Sequence, residues 1–111
     1  MNFQNTNYQV QLEIEFWEKD SWMPQDCNSN AWVKFENGER WVATFFSYQN
    51  ILSLKEKNKL TGECLGGKYF CAADMILIDE ISQESIESAI ANLIEENTFD
   101  VYFSKCEEFE D

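Results

Sequence analysis

The chain predicts one α+β domain: a mainly antiparallel sheet of four to five strands with two helices, in the order β-β-β-α-β-α and room for a final strand. Three observations predict it. A nine-residue run alternates apolar and polar residues without a break, an Asn-Gly pair sits between two β-rich runs, and a later segment carries apolar residues at helical spacing. With 111 residues, 44% of them hydrophobic and 15% aromatic, the chain is the size of one domain and has the apolar surface for a core. Residues 1–106 are assigned to that domain, and the acidic end 107–111 is predicted to be a disordered tail.

The first strand is read from Tyr8 to Phe16. Tyr8, Val10, Leu12, Ile14 and Phe16 fall on one face and Gln9, Gln11, Glu13 and Glu15 on the other, the period of a strand with one buried and one wet side. Trp17 to Asn30 contains Pro24 and several Asp, Asn and Ser residues and reads as a loop. Ala31–Glu36 and Glu39–Phe46 flank Asn37-Gly38, the signal of a tight hairpin because both residues of its turn need positive φ. A two-residue loop sets Phe35 opposite Arg40 and Lys34 opposite Trp41. Val33, Phe35, Val42 and Phe46 then share one face, and Trp32, Lys34, Trp41, Ala43 and Phe45 the other.

Ser47 caps a helix that runs to about Leu60 and stops at Gly62, with lysines in its last turns. Gly66-Gly67 is a turn. Met75–Ile78 is a continuous apolar run, expected in the middle of the sheet with both faces buried. Ser82 caps a second helix to about Glu96, where Ile86, Ala89, Ile90, Leu93 and Ile94 form an apolar stripe. Phe99–Phe103 reads as a last strand or a packed tail.

The formal net charge is −13, from 21 acidic and 8 basic residues. That field opposes nucleic acid and anionic membrane and favours encounter with a basic partner; it also serves solubility alone. No apolar run approaches the roughly 20 residues of a membrane helix, and the start lacks the pattern of a secretory signal, so a cytoplasmic location is expected. Cys27, Cys64, Cys71 and Cys106 show no C-x-x-C spacing and there is no histidine, so free thiols are expected rather than a metal site, with Cys71 a buried small hydrophobe.

The absence of histidine removes the commonest general base, and no nucleophile or phosphate-binding motif is present, so no catalytic residue, cofactor or metal is assigned. Asp74, between Ala73 and the apolar run, is the one acid placed where burial would make it a general acid; a turn cap or an ion pair with Lys68 or Arg40 is the commoner explanation of such a residue. Trp32, Trp41 and Phe45 on one predicted hairpin face are either core or an exposed patch with the character of a binding hot spot. From Asp79 onward there are eleven acids and a single base, Lys105, so the second helix presents Glu84, Glu87, Glu95 and Glu96 outside its apolar stripe as a further contact surface.

The run Asn37–Phe46, with Gly67-Lys68-Tyr69-Phe70 and Asp74-Met75-Ile76, resembles short acidic uncharacterised bacterial proteins that are similar to immunity proteins of polymorphic toxin systems. The resemblance spans residues 31–96, and an aromatic stands in those proteins where this chain has Cys71. It implies neutralisation of a toxin by occlusion, without catalysis. The expected function is therefore an acidic cytoplasmic protein-binding domain that meets a basic protein, a toxin domain, through Trp32, Trp41, Glu84 and Glu87. A nucleic-acid mimic that blocks a DNA-binding enzyme and a small enzyme using Asp74 are the alternatives. A homodimer, through the aromatic face or a free sheet edge, is compatible with each.

Overall fold

A computed structural model of the chain describes residues 6–13 and 23–106. They form an α+β fold whose five-stranded sheet has the path β1-β2-β3-β4, with β5 also on β3. The strands are β1 (Tyr8–Leu12), β2 (Asn28–Phe35), β3 (Arg40–Ser47), β4 (Met75–Ile78) and β5 (Ser104–Lys105). The helical segments are α1 (Tyr48–Thr61), α2 (Glu63–Gly67), α3 (Gln83–Glu95) and α4 (Phe99–Tyr102). The strands and the two long helices follow in the predicted order, but two short helical segments are added. α2 stands where Gly66-Gly67 was expected to be a turn, and α4 where Phe99–Phe103 was expected to be a last strand or a packed tail, with β5 after it. The predicted continuation of the first strand to Phe16 and the acidic tail 107–111 lie outside the described residues.

β1, β2 and β3 are antiparallel neighbours. The hairpin differs from expectation by one residue. Phe35 N–H donates to Glu39 O at 2.9 Å and Gly38 N–H to Phe35 O at 2.9 Å, so the loop is the three residues Glu36-Asn37-Gly38, with Gly38 at φ 96°. Val33 consequently pairs with Trp41 and Trp32 with Val42. A one-residue shift exchanges faces along the whole strand. Trp32 and Trp41 therefore lie on opposite sides of the sheet, and the predicted Trp32–Trp41–Phe45 face does not form. β2 also begins at Asn28, three residues inside the predicted loop, because Asn28, Ser29 and Asn30 pair with Phe46, Phe45 and Thr44.

On one side of the sheet, Leu12, Ala31, Val33, Phe35, Ala43 and Phe45 make a buried apolar layer. The stripe of α3 closes it with Ile86, Ile90 and Ile94, joined by Ile81, Phe99 and Phe103. Each such aliphatic or aromatic side chain contributes about 1.5–3 kcal/mol when fully buried. Ser82 caps α3 by accepting from Ser85 N–H at 3.1 Å.

The other side carries Trp32, Val42, Thr44 and Phe46. Here the crossover from β3 to its parallel neighbour β4 returns across the sheet, and Phe70, after α2, meets Phe46 edge-on at 5.5 Å between ring centroids. α1 is tied down mainly by polar contacts. Ser47 Oγ accepts from Asn50 N–H at 3.1 Å as the N-cap and donates to Gln25 O at 3.0 Å. Asn50 Nδ2 donates to Asp26 at 3.1 Å, Asn28 Nδ2 donates to Asn50 Oδ1 at 3.0 Å, and Ser53 Oγ donates to Asp26 at 2.8 Å.

β4 is not the central strand its apolar run predicted. It bonds only to β3, along Thr44–Ser47, and β5 takes the rest of that β3 edge at Trp41 and Val42. None of its residues is fully buried: Ile76 and Ile78 lean on the core, while Leu77 is exposed. Within α2 the backbone turns left-handed, with φ of 52° at Cys64, 55° at Leu65, 69° at Gly66 and 84° at Gly67. Gly67 is required there. A Cβ would stand 2.6 Å from Lys55 O.

Candidate partner-binding surfaces

The four residues singled out from the sequence are not gathered at one place. Glu84 and Glu87 are exposed on α3, within two turns of its N-terminus. Glu87 accepts from Gln83 Nε2, and its charge reaches Tyr8 at the start of β1. Burial, and secondly that carboxylate, hold the Tyr8 hydroxyl above the ordinary tyrosine value of 10.0. Trp41 lies on the same side of the sheet, half-buried, with its ring 5.6 Å from Phe99 and its Nε1–H donating to Glu39 Oε1 at 3.3 Å. Trp32 is half-buried on the far side, paired with Gln11 and Val42.

An aromatic run links Tyr8, beside the charge of Glu87, to Trp41. Tyr8 packs on Phe35 at 5.8 Å, Phe35 edge-on to Phe99 at 5.5 Å, Phe99 on Trp41, and Phe99 stacks on Phe103 at 4.3 Å. α4 is the hub, and its geometry creates a surface that the sequence reading did not single out. Phe99 and Phe103, four residues apart, point into the core. Val101 and Tyr102 must then face outward, and they remain 68% and 51% exposed. Exposed Glu95, Glu96 and Asp100 stand beside them in sequence, and no base occurs between Asp79 and Ser104. The signal available in sequence was Phe99-x-x-x-Phe103: two large aromatics at helical spacing leave the residues between them uncovered.

Asp74 is a turn residue at φ 55°, a conformation that aspartate tolerates better than most residues. Its carbonyl accepts from Thr44 N–H at 2.9 Å and its carboxylate from Ser104 Oγ at 2.5 Å, rather than pairing with Lys68 or Arg40. Two open depressions, of about 530 Å³ beside Tyr8 and Lys34 and of about 780 Å³ beside Asp26 and Glu80, do not include it. The acid–base reading of Asp74 therefore draws no support from its surroundings. The cysteines are free thiols, and Cys71 is exposed, against the expectation that it is a buried hydrophobe, because the return from α2 to β4 passes over the surface. Among the described residues there is no group of three or more Cys, Asp or Glu side chains placed to hold a metal ion, and no helix is long and apolar enough to cross a membrane.

No protein-family model matches the chain, and no curated protein or solved structure matches it.

Proposed function

We propose that this chain is a cytoplasmic protein-binding domain of immunity type, which neutralises a basic toxin domain by occluding it with the α3–α4 side. The observation that carries the reading is that the α3 and α4 segments combine several exposed acids and no base of their own with exposed apolar side chains. Glu84, Glu87, Glu95, Glu96 and Asp100 are all exposed, and the exposed Val101 and Tyr102 follow Asp100 on α4. Acids of one sign steer a basic partner into encounter, while an aromatic that loses its water on contact supplies the affinity. In this reading Trp41 supports the surface from beneath through Phe99, and Trp32, on the opposite side, takes no part.

A nucleic-acid mimic calls for carboxylates at regular, phosphate-like intervals. On α3 the seven residues between Glu87 and Glu95, a gap of about 12 Å of helix rise, interrupt such a row, which favours occlusion over mimicry.

The test is capture from lysate of the source cell at moderate salt, followed by expression of the captured protein alone and together with this chain. Retention of a basic protein that is toxic alone and harmless in company supports the reading. The double substitution Glu87→Lys and Tyr102→Ala should abolish both retention and protection while leaving the circular dichroism unchanged. A captured protein that is not toxic, or protection indifferent to the double substitution, sinks it.

A further inference from the structure

Charge is divided unevenly between the two helical layers. Residues 48–70 hold Lys55, Lys57, Lys59 and Lys68 against Glu56 and Glu63, leaving the rest of the chain with four of the 8 bases and nineteen of the 21 acids. On α1, Tyr48, Leu52, Lys55 and Lys59 recur at intervals of four, three and four residues and so share one helix face. All four are exposed, Tyr48 by 53% and Leu52 by 58%, although both are large and apolar or aromatic. On α3, Glu84, Ser88, Ala91 and Glu95 recur at the same intervals, all exposed, with Glu87 alongside. Each stripe spans twelve residues, about 16 Å from first to last.

Laid antiparallel, the two stripes match in both charge and size. Lys59 meets Glu84, Lys55 meets Glu87 and Ser88, Leu52 fits over the small Ala91, and Tyr48 reaches Glu95. We propose that copies of this chain associate head to tail, with the α1 stripe of one lying antiparallel along the α3 stripe of the next. The contact is heterologous. α1 lies toward the Phe46 side of the sheet, through Asn50 and Asn28, and α3 on the Phe45 side, so a dimer keeps one free stripe of each kind, on different copies, and association continues past it unless a ring closes. Lys59 already pairs with Glu56 at 3.0 Å, but that pair is exposed on both partners, and such surface pairs are weak enough to exchange. The inference does not rest on the toxin reading, because its test contains only this chain.

Sedimentation velocity over a range of concentrations, at about 0.01, 0.15 and 1 M salt, provides the test. At the lowest salt, net charges of −13 repel across a screening length of about 30 Å; near 0.15 M that repulsion is cut to about 8 Å while pairs in contact survive; at 1 M the pairs weaken too. The mean mass should therefore peak at the intermediate salt.

Lys55→Glu with Lys59→Glu, and separately Glu84→Lys with Glu87→Lys, should each weaken association about tenfold or more. A one-to-one mixture of the two folded variants should restore it. The second variant is decisive. Its two substitutions move the net charge from −13 up by four, so general repulsion falls and nonspecific association would increase rather than drop. A monomer at every salt, an association unaffected by either variant, or a mixture that stays monomeric overturns the proposal.

Discussion

α1 and α3 are nearly equal in length, 14 and 13 residues, and each starts from a serine N-cap, yet different forces hold them to the sheet. α3 lays Ile86, Ile90 and Ile94 on an apolar layer, an interaction that is strong and tolerant of small shifts in angle. α1 buries Asn50 and Asn58 and is fixed by hydrogen bonds to Asp26, Asn28 and the β2–β3 end. Such bonds add roughly 0.5–1.5 kcal/mol each, but lose their value when the geometry slips. One layer is held by area and the other by direction. The apolar side chains of α1 are consequently free to sit on its outside, as Tyr48 and Leu52 do, whereas α3 spends its own on the core.

The largest effect expected from this contrast is on α4. Phe99→Ala removes the ring on which Phe35, Trp41 and Phe103 all pack, and should cost about 3–5 kcal/mol, read as a lower urea midpoint for the whole fold. If only α4 loosened while the midpoint held, the view of one continuous apolar layer would be wrong. Asn50→Ala takes one hydrogen-bond partner from each of Asn28 and Asp26 and should cost about 1–3 kcal/mol. Hydrogen exchange should show the loss concentrated in α1, ahead of global unfolding. Uniform exchange across α1 and α3 would mean that the two layers are not separately held. Leu65→Gly relieves a left-handed backbone that costs an L-residue about 1–2 kcal/mol, and should raise stability by about 1 kcal/mol after glycine's greater chain entropy is set against it. Unchanged or lower stability would show that Leu65 makes contacts that repay its strain.

The smallest effect is one of pH. The Tyr8 hydroxyl ionises above 10.0 in the fold and near that value in the unfolded chain. Its contribution to stability is therefore complete below pH 10 and declines as pH rises from there through the folded value, because the unfolded chain gives up its proton first. Glu87→Gln should lower the Tyr8 transition seen by ultraviolet titration, yet leave it above 10.0, since burial is the larger cause. A transition that does not move would separate α3 from β1 electrostatically.

The elements that periodicity announces were legible: the alternation at Tyr8–Leu12, the stripe of α3, and both serine caps. The hairpin register was not, because Asn37-Gly38 suits a two-residue loop and a three-residue loop ending in a left-handed glycine equally well. Thr44 held the deciding signal. The two-residue register would turn Thr44 toward the core and Ala43 and Phe45 away from it, whereas the observed register buries Ala43 and Phe45 and packs the half-buried Trp41 beside them. β4 misled for a different reason. An apolar run reports burial against something, but not against another strand, and Met75–Ile78 has a single strand neighbour. Of the candidate site, Glu84 and Glu87 were found by charge alone. The pairing of Trp32 with Trp41 failed with the register, and Val101 and Tyr102 were missed because their exposure follows from where Phe99 and Phe103 point. The left-handed turn at Cys64–Leu65 runs against the preferences of both residues, so no local rule would have placed it.

The aromatic cover of the sheet also sets a schedule for synthesis. Phe45 is laid down with the first three strands, but Phe99 and Phe103, which close over it, follow more than fifty residues later. At about 5–20 residues per second, the ribosome leaves that face uncovered for roughly 3–10 s. In that interval the nascent sheet shows water the apolar side it will later hide, with Phe35 and Phe45 at its centre. A chaperone that recognises aromatic surface has its opportunity then, and loses it once α4 docks.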